Sequence, residues 1–167
     1  MSIGTFDGAY PAEALHEPVE RAIRQRVPKQ TSAEAKAAYA LVTRRDEETC
    51  VRCRRGGNMQ RDHRQNRLPG NTVPSNLQLL CGPSTAGEGC HSWKTHNPDE
   101  AIVAGFAIPR HTMFTPAEWP ARRWTRTMHG TYREAWVLYF DVPEHGRMWL
   151  EIPDIDAHYR RRQAGIL

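Results

Sequence analysis

The sequence predicts an α+β chain whose middle is braced by a metal, and three observations carry that reading. All four cysteines, Cys50, Cys53, Cys81 and Cys90, fall within one polar segment that is too poor in apolar residues to build its own core. A run of helix formers leads into that segment. Well beyond it, two apolar, aromatic-rich stretches are separated by a turn, the pattern of a β-hairpin.

Taken in order, residues 1–30 show no clean period and contain Pro11, Pro18 and Pro28, so they read as a loosely structured arm with a short helix around 16–26. Thr31 or Ser32 then caps a helix through Ala33–Val42, which delivers the chain to Cys50. After a turn at Gly56-Gly57, Asn58 to His63 form a short strand; residues 64–75, rich in Pro, Gly and Asn, form a loop. Leu77–Leu80 is a second strand, and a short helix carries His91 to Thr95. Asn97 caps another helix, with Pro98 at its first position, Asp99 and Glu100 in its first turn and Gly105 at its end. Ala135–Asp141 and Arg147–Ile152 are strands joined by the Pro143–Gly146 turn. The expected division is an arm (1–30), a braced core (31–110) and a C-terminal extension (111–167).

Charge is unevenly placed. Residues 50–96 hold 7 Lys/Arg against only Asp62 and Glu88, whereas the flanks are close to balanced. Such a segment suits a phosphate-binding surface, because each neutralised phosphate releases counterions; a solvated basic loop has the same composition. No stretch approaches the roughly 18 apolar residues of a membrane helix. Residues Met1 to Tyr10 lack the features of a signal peptide, so the expected location is the cytoplasm, away from membranes.

Cys50-x2-Cys53 places two thiolates on one knuckle, a common half of a tetrahedral zinc site. The second pair, Cys81-x8-Cys90, is wider than usual, but its insert Gly82–Gly89 consists mostly of turn formers and can loop out. Four protein ligands would make such a zinc structural. Free thiols or a redox pair are the competing reading.

Phosphodiester hydrolysis needs a base for the attacking water and a cation to stabilise charge on the phosphate and on the leaving 3′-oxygen. Asp62 suits Mg²⁺ or Mn²⁺ as a ligand, and the adjacent His63 suits the base role near neutral pH. His91, tied to the cysteine cluster through Cys90, can return as a second ligand, while Asn76 can bond the backbone of the intervening loop or the His63 ring.

Asp62-His63, then Ser75-Asn76-Leu77-Gln78-Leu79-Leu80-Cys81, then Cys90-His91-Ser92-Trp93-Lys94 resembles the HNH endonuclease motif over about residues 31–110. The version with a preceding Cys-x2-Cys knuckle is similar to HNH proteins of bacteriophages. The resemblance implies a ββα-metal core and a divalent-metal-dependent DNA endonuclease acting on duplex DNA, leaving 5′-phosphate and 3′-hydroxyl ends. It implies His63 as general base, Asp62 and His91 on the catalytic ion, Asn76 supporting the loop, and Arg64 and Lys94, with Arg61 and Arg67, against phosphates. It also implies work in the host cytoplasm, in homing or beside the terminase and portal proteins of genome packaging. A non-catalytic zinc module that binds nucleic acid is the alternative. His96, five residues past His91, sits about 140° round a helix and is expected to face elsewhere. The five tryptophans are expected to pack rather than stack on bases, and Arg122, Arg123 and Arg126 to form a solvated face.

Overall fold

The computed structural model describes residues 30–82 and 88–167; the expected arm, its helix at 16–26 and most of the Cys81–Cys90 insert lie outside them. Helix α1 (Ser32–Arg45) starts at a capping box, in which the Thr31 hydroxyl accepts from the Glu34 amide and the Glu34 carboxylate accepts from the Thr31 amide. Ala38, Val42 and Arg45 recur at helical spacing and make its buried face.

Strands β1 (Met59–His63) and β2 (Leu77–Cys81) pair antiparallel, with Asp62 opposite Gln78 and His63 opposite Leu77. Every residue of β2 is buried, because both faces are covered. Leu77 and Leu79 pack on Ala38 and Val42 of α1. On the other face Leu80 packs with Cys50, Val51, Cys90 and Phe106. Helices α2 (Gly89–His96) and α3 (Pro98–Val103) follow. Asn97 does not cap α3 with its side chain; its Nδ2 donates back to the Trp93 carbonyl at 2.8 Å and closes α2 instead.

The C-terminal part is more ordered than the sequence suggests. The hairpin is present, as β4 (Tyr132–Glu144) and β5 (Arg147–Ile152), but β3 (Ala121–Arg126) joins its other edge to make a three-stranded antiparallel sheet. β3 escapes detection because its inward residues are Ala121, Arg123 and Thr125, which present no apolar alternation. The chain ends in an unanticipated helix, α4 (Asp154–Gln163), with only Ala157 and Arg161 buried. Its acids Asp154 and Asp156 at the start and Arg160–Arg162 at the end complement the helix dipole, a signal that was available in the sequence.

Buried charge joins the two parts. Arg45 makes a two-pronged pair with Asp46 (2.8 and 2.9 Å), Arg123 reaches the same carboxylate at 3.2 Å, and Asp46 also accepts the Leu79 amide at 3.0 Å. The Arg45 guanidinium lies 3.6 Å from the centroid of the Tyr139 ring on β4. Arg123 is therefore an internal tie and not part of a solvated face. Arg161 likewise turns inward, onto the Val103 carbonyl and the face of Trp136. The fully buried Trp119 and nearly buried Trp136 serve packing. Among the described residues no helix is long and apolar enough to cross a membrane.

Candidate metal centre and adjoining cleft

The four cysteine sulfurs lie within 4.8 Å of one another, close enough to hold a metal such as zinc. A tetrahedral zinc with Zn–S near 2.3 Å sets its sulfurs about 3.8 Å apart, and Cys53 and Cys81 stand at 3.5 Å. Burial pushes the Cys50 and Cys90 thiols up. At Cys53 burial acts the same way but is outweighed by hydrogen bonds from the Arg55 backbone and side chain, which bring the thiol down to about 6. Arg52 donates to Cys90 Sγ at 3.5 Å. Part of the positive excess in 50–96 thus faces sulfur, where four thiolates on a divalent ion leave a net charge of −2 to offset.

The wide Cys81–Cys90 spacing is reconciled by a pinched neck. Gly82 and Gly89 both have positive φ (109° and 86°), and their backbones approach so closely that a Cβ on Gly89 would sit 2.4 Å from the Cys81 carbonyl oxygen. Only glycine fits there, and the neck brings Cys81 and Cys90 together despite their separation in sequence. Gly89→Ala is expected to lower both the zinc content per chain and the melting temperature, the latter by on the order of 5 °C for about 2 kcal/mol of strain. A variant with full zinc and an unchanged melt would show that the neck does not set the cluster.

An open cleft of about 580 Å³ runs beside the cluster. β1 contributes Asp62 and His63 to it, and α2 contributes His91 and Lys94. The Asp62 carboxylate is buried and well held. Gln78, its cross-strand neighbour, donates to Oδ2 at 2.9 Å; Lys94 lies 3.0 Å from Oδ2 and 3.2 Å from Oδ1; His91 Nε2 is 3.6 Å from Oδ1. Lys94 also donates to the His63 carbonyl at 2.8 Å, so its ammonium is engaged inward rather than presented to a phosphate. His63 is half-buried, and burial together with the nearby Arg67 guanidinium holds its pKa below the usual 6.5 against the pull of Asp62. Its ring is therefore mainly neutral at pH 7 and able to accept a proton.

Asn76 is fully buried and clamps the loop between the strands: its Oδ1 accepts the Gln65 amide at 2.8 Å, and its Nδ2 donates to the carbonyls of Asn71 (2.9 Å) and Gln65 (3.3 Å). Of its two expected roles it takes the backbone one. Arg64 requires a correction. It is 1% exposed, and its guanidinium donates to the carbonyls of Ser75, Pro116, Trp119 and Pro120, so it cannot reach a phosphate. Alternation along the chain turns Arg64 inward, where it fastens the C-terminal extension to the loop. Arg61 and Arg67 are exposed at the cleft, steadied by Thr43 and Tyr39. Arg110, which sequence reasoning passed over, joins them as a third exposed arginine lining the cleft. His96 folds back on Ser92 of its own helix and stays apart from the cluster in the cleft. Gln78 and Thr72, which touch Asp62 and His63, were given no role from the sequence: Gln78 lies within the motif stretch at a position the motif leaves open, Thr72 lies outside it, and only strand register and loop closure bring them in.

The fold and site define an α+β protein with a cluster of four cysteines that could hold a metal, beside a basic cleft that holds paired acid and histidine side chains. Comparison with family models, curated proteins and solved structures returns no match.

Proposed function

We propose that this protein is a divalent-metal-dependent DNA endonuclease of the HNH type, braced by a structural zinc on Cys50, Cys53, Cys81 and Cys90. The observation that carries the reading is convergence. Asp62, His63, His91 and Lys94 come from two elements and meet in one cleft rimmed by Arg61, Arg67 and Arg110.

The donor set fits a hard divalent ion. Neighbouring ligands on an octahedral Mg²⁺ at about 2.1 Å would stand about 3 Å apart, and Asp62 Oδ1 and His91 Nε2, at 3.6 Å, are near enough to share one ion after a side-chain adjustment of about 0.6 Å. A carboxylate offers several lone pairs, so Asp62 can keep Gln78 and Lys94 as donors while serving a metal. Mg²⁺ or Mn²⁺ held by Asp62 and His91 supplies charge stabilisation at the scissile phosphate and the leaving 3′-oxygen. His63, neutral at working pH, takes the proton of the attacking water. The exposed arginines bind the flanking phosphates of duplex DNA, and attack of water on phosphorus with breakage of the bond to the 3′-oxygen leaves 5′-phosphate and 3′-hydroxyl ends. A role in phage genome packaging, beside terminase or portal proteins, or in homing belongs to the same proposal.

One observation favours a non-catalytic zinc module that binds nucleic acid: Lys94 already neutralises Asp62. Supercoiled plasmid with Mg²⁺ or Mn²⁺ separates the two. The nuclease reading expects nicking that EDTA abolishes. It also expects His91→Ala to lose most activity while keeping about one zinc per chain. DNA binding without nicking by the wild type favours the module, and loss of zinc in His91→Ala would move His91 to the cysteine site.

A further inference from the structure

We propose that Thr72 is a positioning residue for His63: its hydroxyl accepts the Nε2–H of the ring, fixes that tautomer, and leaves Nδ1 as the nitrogen that takes a proton. The contact itself is independent of the nuclease reading; its direction, from the Nε2–H to the hydroxyl, and its consequence for catalysis rest on that reading, because only this tautomer leaves a ring lone pair free to take a proton. Thr72 Oγ1 lies 3.1 Å from His63 Nε2. Thr72 is 7% exposed, so its hydroxyl has given up water and needs a partner. The ring is that partner, and His63 Nδ1 makes no hydrogen bond among the described residues.

The hydroxyl is held where it is by everything around it. One carboxamide reads both sides of the Thr72 backbone: the Thr72 amide donates to Gln30 Oε1 at 3.2 Å, and Gln30 Nε2 donates to the Thr72 carbonyl at 2.7 Å. The preceding carbonyl, of Asn71, accepts from Asn76 at 2.9 Å. The Asn71 side chain pegs the loop again, accepting the Leu68 amide at 2.8 Å and donating to the Asn66 carbonyl at 2.9 Å. Asn76 thus influences the imidazole indirectly, by fixing the loop that carries Thr72.

A neutral imidazole has one N–H and one lone pair, and in water its two tautomers interconvert freely. A fixed acceptor at Nε2 removes that freedom. It also restrains ring rotation, so the lone pair on Nδ1 is presented in one direction when water is activated. Misplacing a catalytic group costs rate rather than affinity, because the error is felt in the transition state.

The test compares Thr72→Val, which keeps shape and removes the hydroxyl, with Thr72→Ser, which keeps the hydroxyl. Both are made in the zinc-loaded full chain. Nitrogen-15 NMR of the His63 ring, without added Mg²⁺ or Mn²⁺, reports the tautomer; plasmid nicking in Mg²⁺ reports kcat and KM. Wild type and Thr72→Ser are expected to show the Nε2–H form. Thr72→Val is expected to show a mixture and a kcat lower by about tenfold at unchanged KM. Gln30→Leu, which loosens Thr72 without touching the ring, is expected to move both readouts the same way and carries the test if Thr72→Val does not fold. A wild-type tautomer population in Thr72→Val, or a shifted tautomer with wild-type kcat, overturns the proposal. If the wild type does not nick at all, the nuclease reading fails, and the ring spectrum alone decides whether Thr72 fixes His63.

Discussion

His63→Ala is expected to reduce plasmid nicking by a factor of about 10² to 10⁴, the usual contribution of a positioned general base. The fold should survive, because the ring is half-buried and its hydrogen-bond partner is a single hydroxyl. Zinc content and melting temperature should therefore stay near wild type while activity falls. The pH dependence has a definite sign. A base works when deprotonated, and burial plus Arg67 hold the His63 pKa below 6.5. The rate should rise with pH along a limb centred below 6.5 and be level by neutrality. Relieving the ring of its cationic neighbour in Arg67→Ala should move that limb to higher pH. Equal nicking by wild type and His63→Ala would sink the assignment of the base.

Cys50→Ser carries the second large effect, on folding rather than on rate. Cys50 is fully buried in the cluster formed by Val51, Leu80, Cys81, Cys90 and Phe106, so the metal site and the small apolar core are one object. Structural zinc contributes an apparent ~10–16 kcal/mol in small finger domains, against a net stability of ~5–15 kcal/mol for a whole domain. Loss of one thiolate should therefore leave residues 50–96 unfolded or the protein insoluble, and a strong chelator should do the same to the wild type. Zinc per chain and a thermal melt check this. A Cys50→Ser protein that melts like wild type would remove zinc from the account of the fold.

Much of the core was legible because its signals are local. The Thr31–Glu34 capping box, the alanine-rich stretch of α1, the Pro98 start of α3 and the apolar strands of the hairpin each declare themselves within a few residues. β3 and α4 did not, since their buried positions are filled by Ala121, Arg123, Thr125, Ala157 and Arg161, whose burial depends on partners distant in sequence. Arg64 is the clearest case. Beside Asp62-His63 it looks like a phosphate contact, yet it is spent on carbonyls as far along the chain as Pro120.

By itself the sequence determined which side-chain types are available for metal binding and proton transfer, and the order that sets Cys50-x2-Cys53 against Cys81 and Cys90. Those properties reside in side-chain type and short-range spacing. Only the tertiary structure decided which groups touch: Gln78 on Asp62 through strand register, Thr72 on His63 through loop closure, and Lys94 turned inward rather than toward a phosphate. It also decided that the long insert does not part the sulfurs, because two glycine backbones cross at its neck. Contacts of that kind depend on where the chain returns to itself, which no run of neighbouring residues encodes.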